Sequence, residues 1–195
     1  GGYQNTASGD KSRVGGGQSN SASSTVSTVG GGSNNTASAQ GAVVAGGQSC
    51  SATAYAASTL GGYGNASNNN YSSNLGGSSN TASGQYSAVL GGANNTASGS
   101  YSISGGSSAI ANSLASVALG ANVTVNSVIG RNSYGYGLAV NGDAQCSTFI
   151  MRMRTTDATL TTFTSDGTGA STANQIVLQN NSAYRFKGTI IAKQT

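Results

Sequence analysis

The chain has 195 residues, 31 of them glycine, and contains no proline, tryptophan, histidine or glutamate. Charged residues make up 6% of it, against a usual quarter, and there is none between Val14 and Gly130. This composition argues against a charge-rich disordered tract and rules out a histidine-based metal centre or general base. The net charge of +4 comes mostly from Arg131, Arg152, Arg154, Arg185, Lys187 and Lys193, with no basic helix or aromatic-interleaved basic stripe, so nucleic acid is not an expected partner. No apolar run is long enough to cross a membrane as a helix, and membrane insertion is not expected.

In chain order, the first feature is a repeat. Gly-Gly pairs open at positions 1, 16, 31, 46, 61, 76 and 91, always 15 apart, and the next pair, Gly105-Gly106, comes one residue early. The unit from Gly76 to Leu90 reads G-G-S-S-N-T-A-S-G-Q-Y-S-A-V-L. Its defining positions are Gly76, Gly77, Asn80, Ala82, Ser87 and Val89, and the other units repeat these types with few exceptions. Unit position 5 is Asn in every unit but one, where Cys50 stands. Position 12 holds only Ser or Ala, and position 11 is Tyr71, Tyr86 and Tyr101 in the later units.

A period of 15 is too short for a paired-helix repeat, which needs about 33 residues, and Ser, Thr, Asn and Gly are weak helix formers. The expected unit is one coil of a β-solenoid, with strands over positions 6 to 8 and 11 to 15 and two corners. Gly-Gly supplies positive φ at one corner, and the position-5 Asn bonds its own backbone at the other. Alternation places positions 12 and 14 on one face of their strand and 11, 13 and 15 on the other. A column of only Ser and Ala signals close packing, which we expect to come from neighbouring copies of the chain.

The fifth unit, with Asn68-Asn69-Asn70, is read as drift within the repeat. From Gly105 the apolar residues Ile110, Leu114, Val117, Leu119, Val123, Val125, Val128 and Ile129 become denser, as expected for closing coils that open at 105 and 120. The solenoid is thus expected over 1–130. Residues 131–145 read as a Gly- and Tyr-rich connector. Residues 146–195 read as a small antiparallel β domain that continues beyond the sequence given.

Reactive chemistry is sparse. The four acidic residues are Asp10, Asp143, Asp157 and Asp166, in turn-like settings, and no enzyme activity is expected. Cys50 and Cys146 form no disulfide framework or metal cluster, and no cofactor is implied. A calcium-binding roll would need an Asp in each unit, and it is missing. Position 6 carries a Thr/Ser column without a matching second Thr column, which leaves ice binding a minor alternative. Tyr71, Tyr86 and Tyr101 have two readings: a packing ladder between coils, which we favour, and a receptor-facing row.

The phrases N-T-A-S-G-Q-Y-S-A-V-L-G-G (80–92) and S-L-A-S-V-A-L-G-A-N (113–122) resemble the head repeats of trimeric autotransporter adhesins, a repeat class also found in bacteriophage tail fibres. The resemblance covers about residues 1–130 and implies a left-handed parallel β-roll with three chains around one axis. Residues 155–167 and 177–195 resemble a β domain that follows such repeats in tail-fibre and related virion appendage proteins. The expectation is therefore an all-β, homotrimeric, parallel β-roll with 15-residue coils and a small antiparallel β domain. It would serve as a structural and adhesive segment of a virion appendage, its partner a host-surface glycan or protein. The alternatives are the head of a bacterial trimeric surface adhesin and a receptor-less extracellular filament.

Overall fold

A computed structural model describes residues 1–125, 128–136 and 145–148. These are all-β, without a helix, and form a parallel β-solenoid of nine coils. Each coil contributes one strand to each of two sheets. The nine-stranded sheet runs from Thr6–Ala7 to Thr124–Val125; the ten-stranded sheet runs from Arg13–Val14 to Asn132–Tyr136 and ends in the antiparallel strand Gln145–Thr148. At about 4.8 Å per coil the rod is roughly 40 Å long.

The register repeats the sequence period. Thr6 stands opposite Ser21 and Ala7 opposite Ala22, 15 residues on. Gly-Gly at 105 comes early because that coil is one residue shorter: Thr96 pairs with Ile110, and Leu90 and Gly91 together face the single Gly105. The following coil has the same length, since Gly106 pairs with Gly120, so Gly120 is a second corner glycine with Leu119 opposite Gly105. Coil 5 keeps full register despite its asparagines, with Ser73 opposite Ala88 and Asn74 opposite Val89.

Two expectations need correction. The strand expected over positions 11 to 15 is only two residues long in most coils, as in Ser73–Asn74. Position 11 is a left-handed corner instead: φ is +60° at Tyr71 and +58° at Tyr86 and Tyr101. The chain must reverse there, and the bonds from Ser72 N to Asn69 O (3.0 Å) and Ser87 N to Gly84 O (3.2 Å) close that turn. Second, Asn132–Tyr136, expected within a connector, is a strand that pairs in parallel with Val117–Ala121. Its alternation of Ser133 inward with Tyr134 outward suits another rung of the sheet.

The interior is narrow. Positions 7 and 14 point in from opposite sheets as Ala22, Ala37, Ala52, Ala82 and Ala97 against Val29, Val44 and Val89, all fully buried. Position 12, as Ser27, Ala42, Ala57, Ser72, Ser87 and Ser102, is buried inside the same coil. The Ser/Ala column is therefore explained within one chain, not by neighbouring copies. Ser27 shows a second reason for serine: its Oγ donates to Ser24 O (2.7 Å) and accepts from Ser24 N (3.2 Å). In coil 5 the interior turns polar, with Ser67, Ser72 and Asn74 buried, and the polar run starts one coil earlier at buried Thr59, which stands opposite Asn74 and pairs its hydroxyl with Ser67 Oγ (2.9 Å). Asn74 is satisfied there by Nδ2 donating to Asn80 O (3.0 Å) and Oδ1 accepting from Gly76 N (3.3 Å). Burial of small side chains at about 0.8 kcal/mol per methylene gives each coil little. The ladders that run between coils must hold the rod in register.

Candidate functional site

Three ladders run along the solenoid. The first is the buried position-5 asparagine. Asn80 Nδ2 donates to Gly76 O (2.8 Å) in its own coil and to Gly92 O (2.9 Å) in the next. Its Oδ1 accepts from Asn95 N (2.9 Å) and Asn95 Nδ2 (3.0 Å), and its own amide donates to Asn65 Oδ1 (2.9 Å). Asn20, Asn35, Asn65 and Asn95 repeat the arrangement. The asparagine thus bonds backbone at the Gly-Gly corner itself and not at the opposite corner as expected, because Gly76 and Asn80 both lie between the strands Ser73–Asn74 and Thr81–Ala82; it also stitches three successive coils, which a single unit read alone does not reveal. Cys50 takes this place once; Asn35 Oδ1 still accepts its amide (2.9 Å), but its thiol offers only long contacts of 3.5 Å to Gly61 O and Gly62 O.

The glycine pair serves this ladder. Gly77 has φ of +88°, and a Cβ on it would collide with Gly92 O and approach Asn80 Nδ2 to 2.8 Å. Gly76 needs its freedom for conformation alone: φ is +141° and a Cβ would meet nothing within 4 Å. Ala82, Ser87 and Val89 lie in the interior, where Ser87 Oγ is buried without a hydrogen-bond partner.

The second ladder is aromatic and exposed. Tyr71 and Tyr86 are stacked with centroids 4.9 Å apart and planes 3° from parallel; Tyr86 and Tyr101 follow at 5.0 Å and 8°. Tyr55, at position 10, closes the other end edge-on against Tyr71 at 5.4 Å and 81°. The structure thus brings the three predicted tyrosines together and adds Tyr55, whose column hides it from a position-by-position reading. The stacking spacing equals the coil spacing, so the rings act as a packing ladder, and the faces of Tyr71 and Tyr86 are covered on both sides. Loss of water, then repulsion from Tyr55 and Tyr86 and a hydrogen bond with Tyr55, push the Tyr71 phenol up from its ordinary value.

The third ladder is apolar. On the outer face of the ten-stranded sheet, Leu60, Leu75 and Leu90 follow one another at position 15, each about half exposed. Leu90 and Leu119 then close over Gly105, where a Cβ would sit 3.3 Å from each. Val43 is exposed beside this file, and Ile103 and Val117 occupy the same outer column. Large contiguous exposed apolar surface is uncommon on monomeric soluble proteins and marks an interaction face. Leucine at position 15 of three successive units was visible in the sequence; its exposure was not.

Among the described residues no three His, Cys, Asp or Glu side chains lie together, and Cys50 (buried) and Cys146 (exposed) are free thiols. Asp143, Asp157, Asp166 and residues 149–195 of the expected C-terminal β domain lie outside the described residues. No protein-family model matches the chain, and no curated protein is similar to it at a significant level. The fold and its ladders define a parallel β-solenoid repeat protein.

Proposed function

We propose that this chain is a structural and adhesive segment of a bacteriophage tail fibre or related virion appendage, working as a homotrimer to support attachment to a host cell surface. The observation that carries the reading is the exposed leucine file Leu60, Leu75 and Leu90 within the uncharged stretch of the rod between Val14 and Gly130. A stripe that repeats over three successive coils matches an identical stripe on a copy lying parallel to it, so each copy buries the other's leucines at the same height. With no charge between Val14 and Gly130, nothing opposes that approach. Backbone ladders in every coil make a stiff spacer, and the resemblance of residues 80–92 and 113–122 to adhesin and tail-fibre repeats supplies the biological setting.

The test is the mass in solution by light scattering, at several concentrations. The expected value is three times 18.9 kDa, falling to the single-chain mass in the Leu75→Lys variant, whose exposed side chain leaves the fold intact. A well-folded wild-type monomer overturns the proposal.

A further inference from the structure

The tyrosine ladder stops in the middle of the solenoid, and where it stops it leaves a notch. The position-11 column can be followed by its backbone bonds: Tyr86 N donates to Asn70 O (3.1 Å), Tyr101 N to Gln85 O (2.9 Å), Ala115 N to Ser100 O (2.8 Å) and Gly130 N to Leu114 O (2.9 Å). All four residues keep the same left-handed backbone, with φ of +58°, +58°, +53° and +69°. The column therefore continues past Tyr101 for two rungs, but its side chains shrink from a phenol ring to a methyl group and then to hydrogen. Tyr71 and Tyr86 have both ring faces covered. Tyr101 has a stacking partner on one side only and is the most exposed of the stack, at 59% against 43% for Tyr86.

We infer that this notch is a binding site for the apolar face of a pyranose ring, and hence for a surface glycan. The open face of Tyr101 carries the negative side of the ring quadrupole, which attracts the weakly positive C–H groups on the flat face of a sugar. The rungs are about 5 Å apart, a ring thickness, so a sugar seated over Ala115 continues the stack in register and a second ring fits over Gly130. Both residues are exposed, and Leu114 provides an exposed apolar side wall. The neighbours Gln85 and Ser100 at position 10 are uncharged hydrogen-bonding groups suited to sugar hydroxyls. The charged side chain next to the notch is Arg131, beside Gly130, and its guanidinium is engaged with Ser147 Oγ (3.0 and 2.7 Å). The inference rests on the attachment reading for its biological partner, but not for its chemistry.

The experiment uses the whole chain with methyl hexopyranosides and their disaccharides as probes, followed by saturation-transfer NMR and tyrosine fluorescence. Millimolar binding is expected, with transfer to the ring C–H protons and disaccharides bound more tightly than single rings. Tyr101→Ala weakens binding about ten-fold, the loss of one aromatic stacking contact. Ala115→Tyr is the decisive variant. It adds the next rung at a position where tyrosine is already used three times, so the fold persists with an unchanged or higher melting temperature while sugar binding disappears. Sugar binding by Ala115→Tyr as tight as wild type overturns the site. So does binding of a planar aromatic probe such as indole with no pyranose binding, or no binding of either. These outcomes are separate from the light-scattering mass, so the notch and the trimeric fibre fail independently.

Discussion

Replacing Asn80 by alanine tests whether the buried asparagine column holds the coils together. The side chain is fully buried and makes four hydrogen bonds, to Gly76 O, Gly92 O, Asn95 N and Asn95 Nδ2. Gly92 O keeps a second donor, Ser78 N at 2.9 Å, and Asn95 Nδ2 keeps Gly91 O and Gly106 O. Gly76 O and Asn95 N lose the partner that the side chain provides. A buried polar group left unpaired costs about 1–3 kcal/mol, so the expected loss is roughly 3–5 kcal/mol, a large part of the stability of a domain. Urea denaturation followed by circular dichroism measures the sum, and hydrogen exchange at the Asn95 amide measures the local effect. Asn80→Asp is the sharper comparison: it keeps the shape and the acceptor but turns a second oxygen toward Gly76 O and Gly92 O. It should be at least as harmful as alanine at neutral pH, since a buried unpaired carboxylate is added. A loss below about 1 kcal/mol for alanine, or a benign aspartate, would refute the ladder argument, because both follow from hydrogen bonds and neither from side-chain volume.

Cys50 is the natural gap in the same ladder, and Cys50→Asn should close it, with Nδ2 reaching Gly46 O and Gly62 O and Oδ1 accepting the Asn65 amide as in the neighbouring coils. A gain of about 1–2 kcal/mol in urea denaturation is expected, and a destabilised variant would show that the thiol fills a site too tight for the amide. The tyrosine stack predicts a pH dependence. Because the Tyr71 phenol is raised above its usual value of 10.0 in the folded chain, the native state holds this proton more tightly than the unfolded one. The contribution is complete below the ordinary tyrosine range and is lost as pH rises through the raised native value. Melting temperature should fall in that alkaline window, and Tyr71→Phe should flatten the fall; equal slopes would mean that the stack does not couple to this phenol.

Much of the solenoid was readable because its constraints repeat. A glycine whose Cβ would strike the next coil must be glycine in every coil, and an asparagine that stitches coils must recur at the same place. Position 5 and the second glycine therefore announce themselves as columns. The strand limits were less legible, since Tyr, Val, Ala and Lys all occur at position 11 and none of them favours a left-handed backbone. Stacking between coils maintains those residues in a conformation that their own preferences oppose. The meaning of the Ser/Ala column was also hidden: a small residue reads the same whether it faces a neighbouring chain or the narrow interior of its own.

The candidate surfaces divide in the same way. Three tyrosines spaced by one period had to share a side of the rod, but Tyr55 entered the stack from the adjacent column, and only the turn geometry brings its edge onto Tyr71. The leucines at position 15 stand outside, because the coil is filled by Ala, Val and Ser and has no room for them.

By itself the sequence determined the architecture class, the coil length, the all-β character and the glycine corner, since a strict period with small uncharged side chains permits little else. Only the tertiary structure decided which columns face in, where the aromatic stack ends and which sheet carries the apolar stripe. Those depend on the path of the backbone between strands, and that path is set by contacts between coils 14 or 15 residues apart rather than by the preferences of any residue within one.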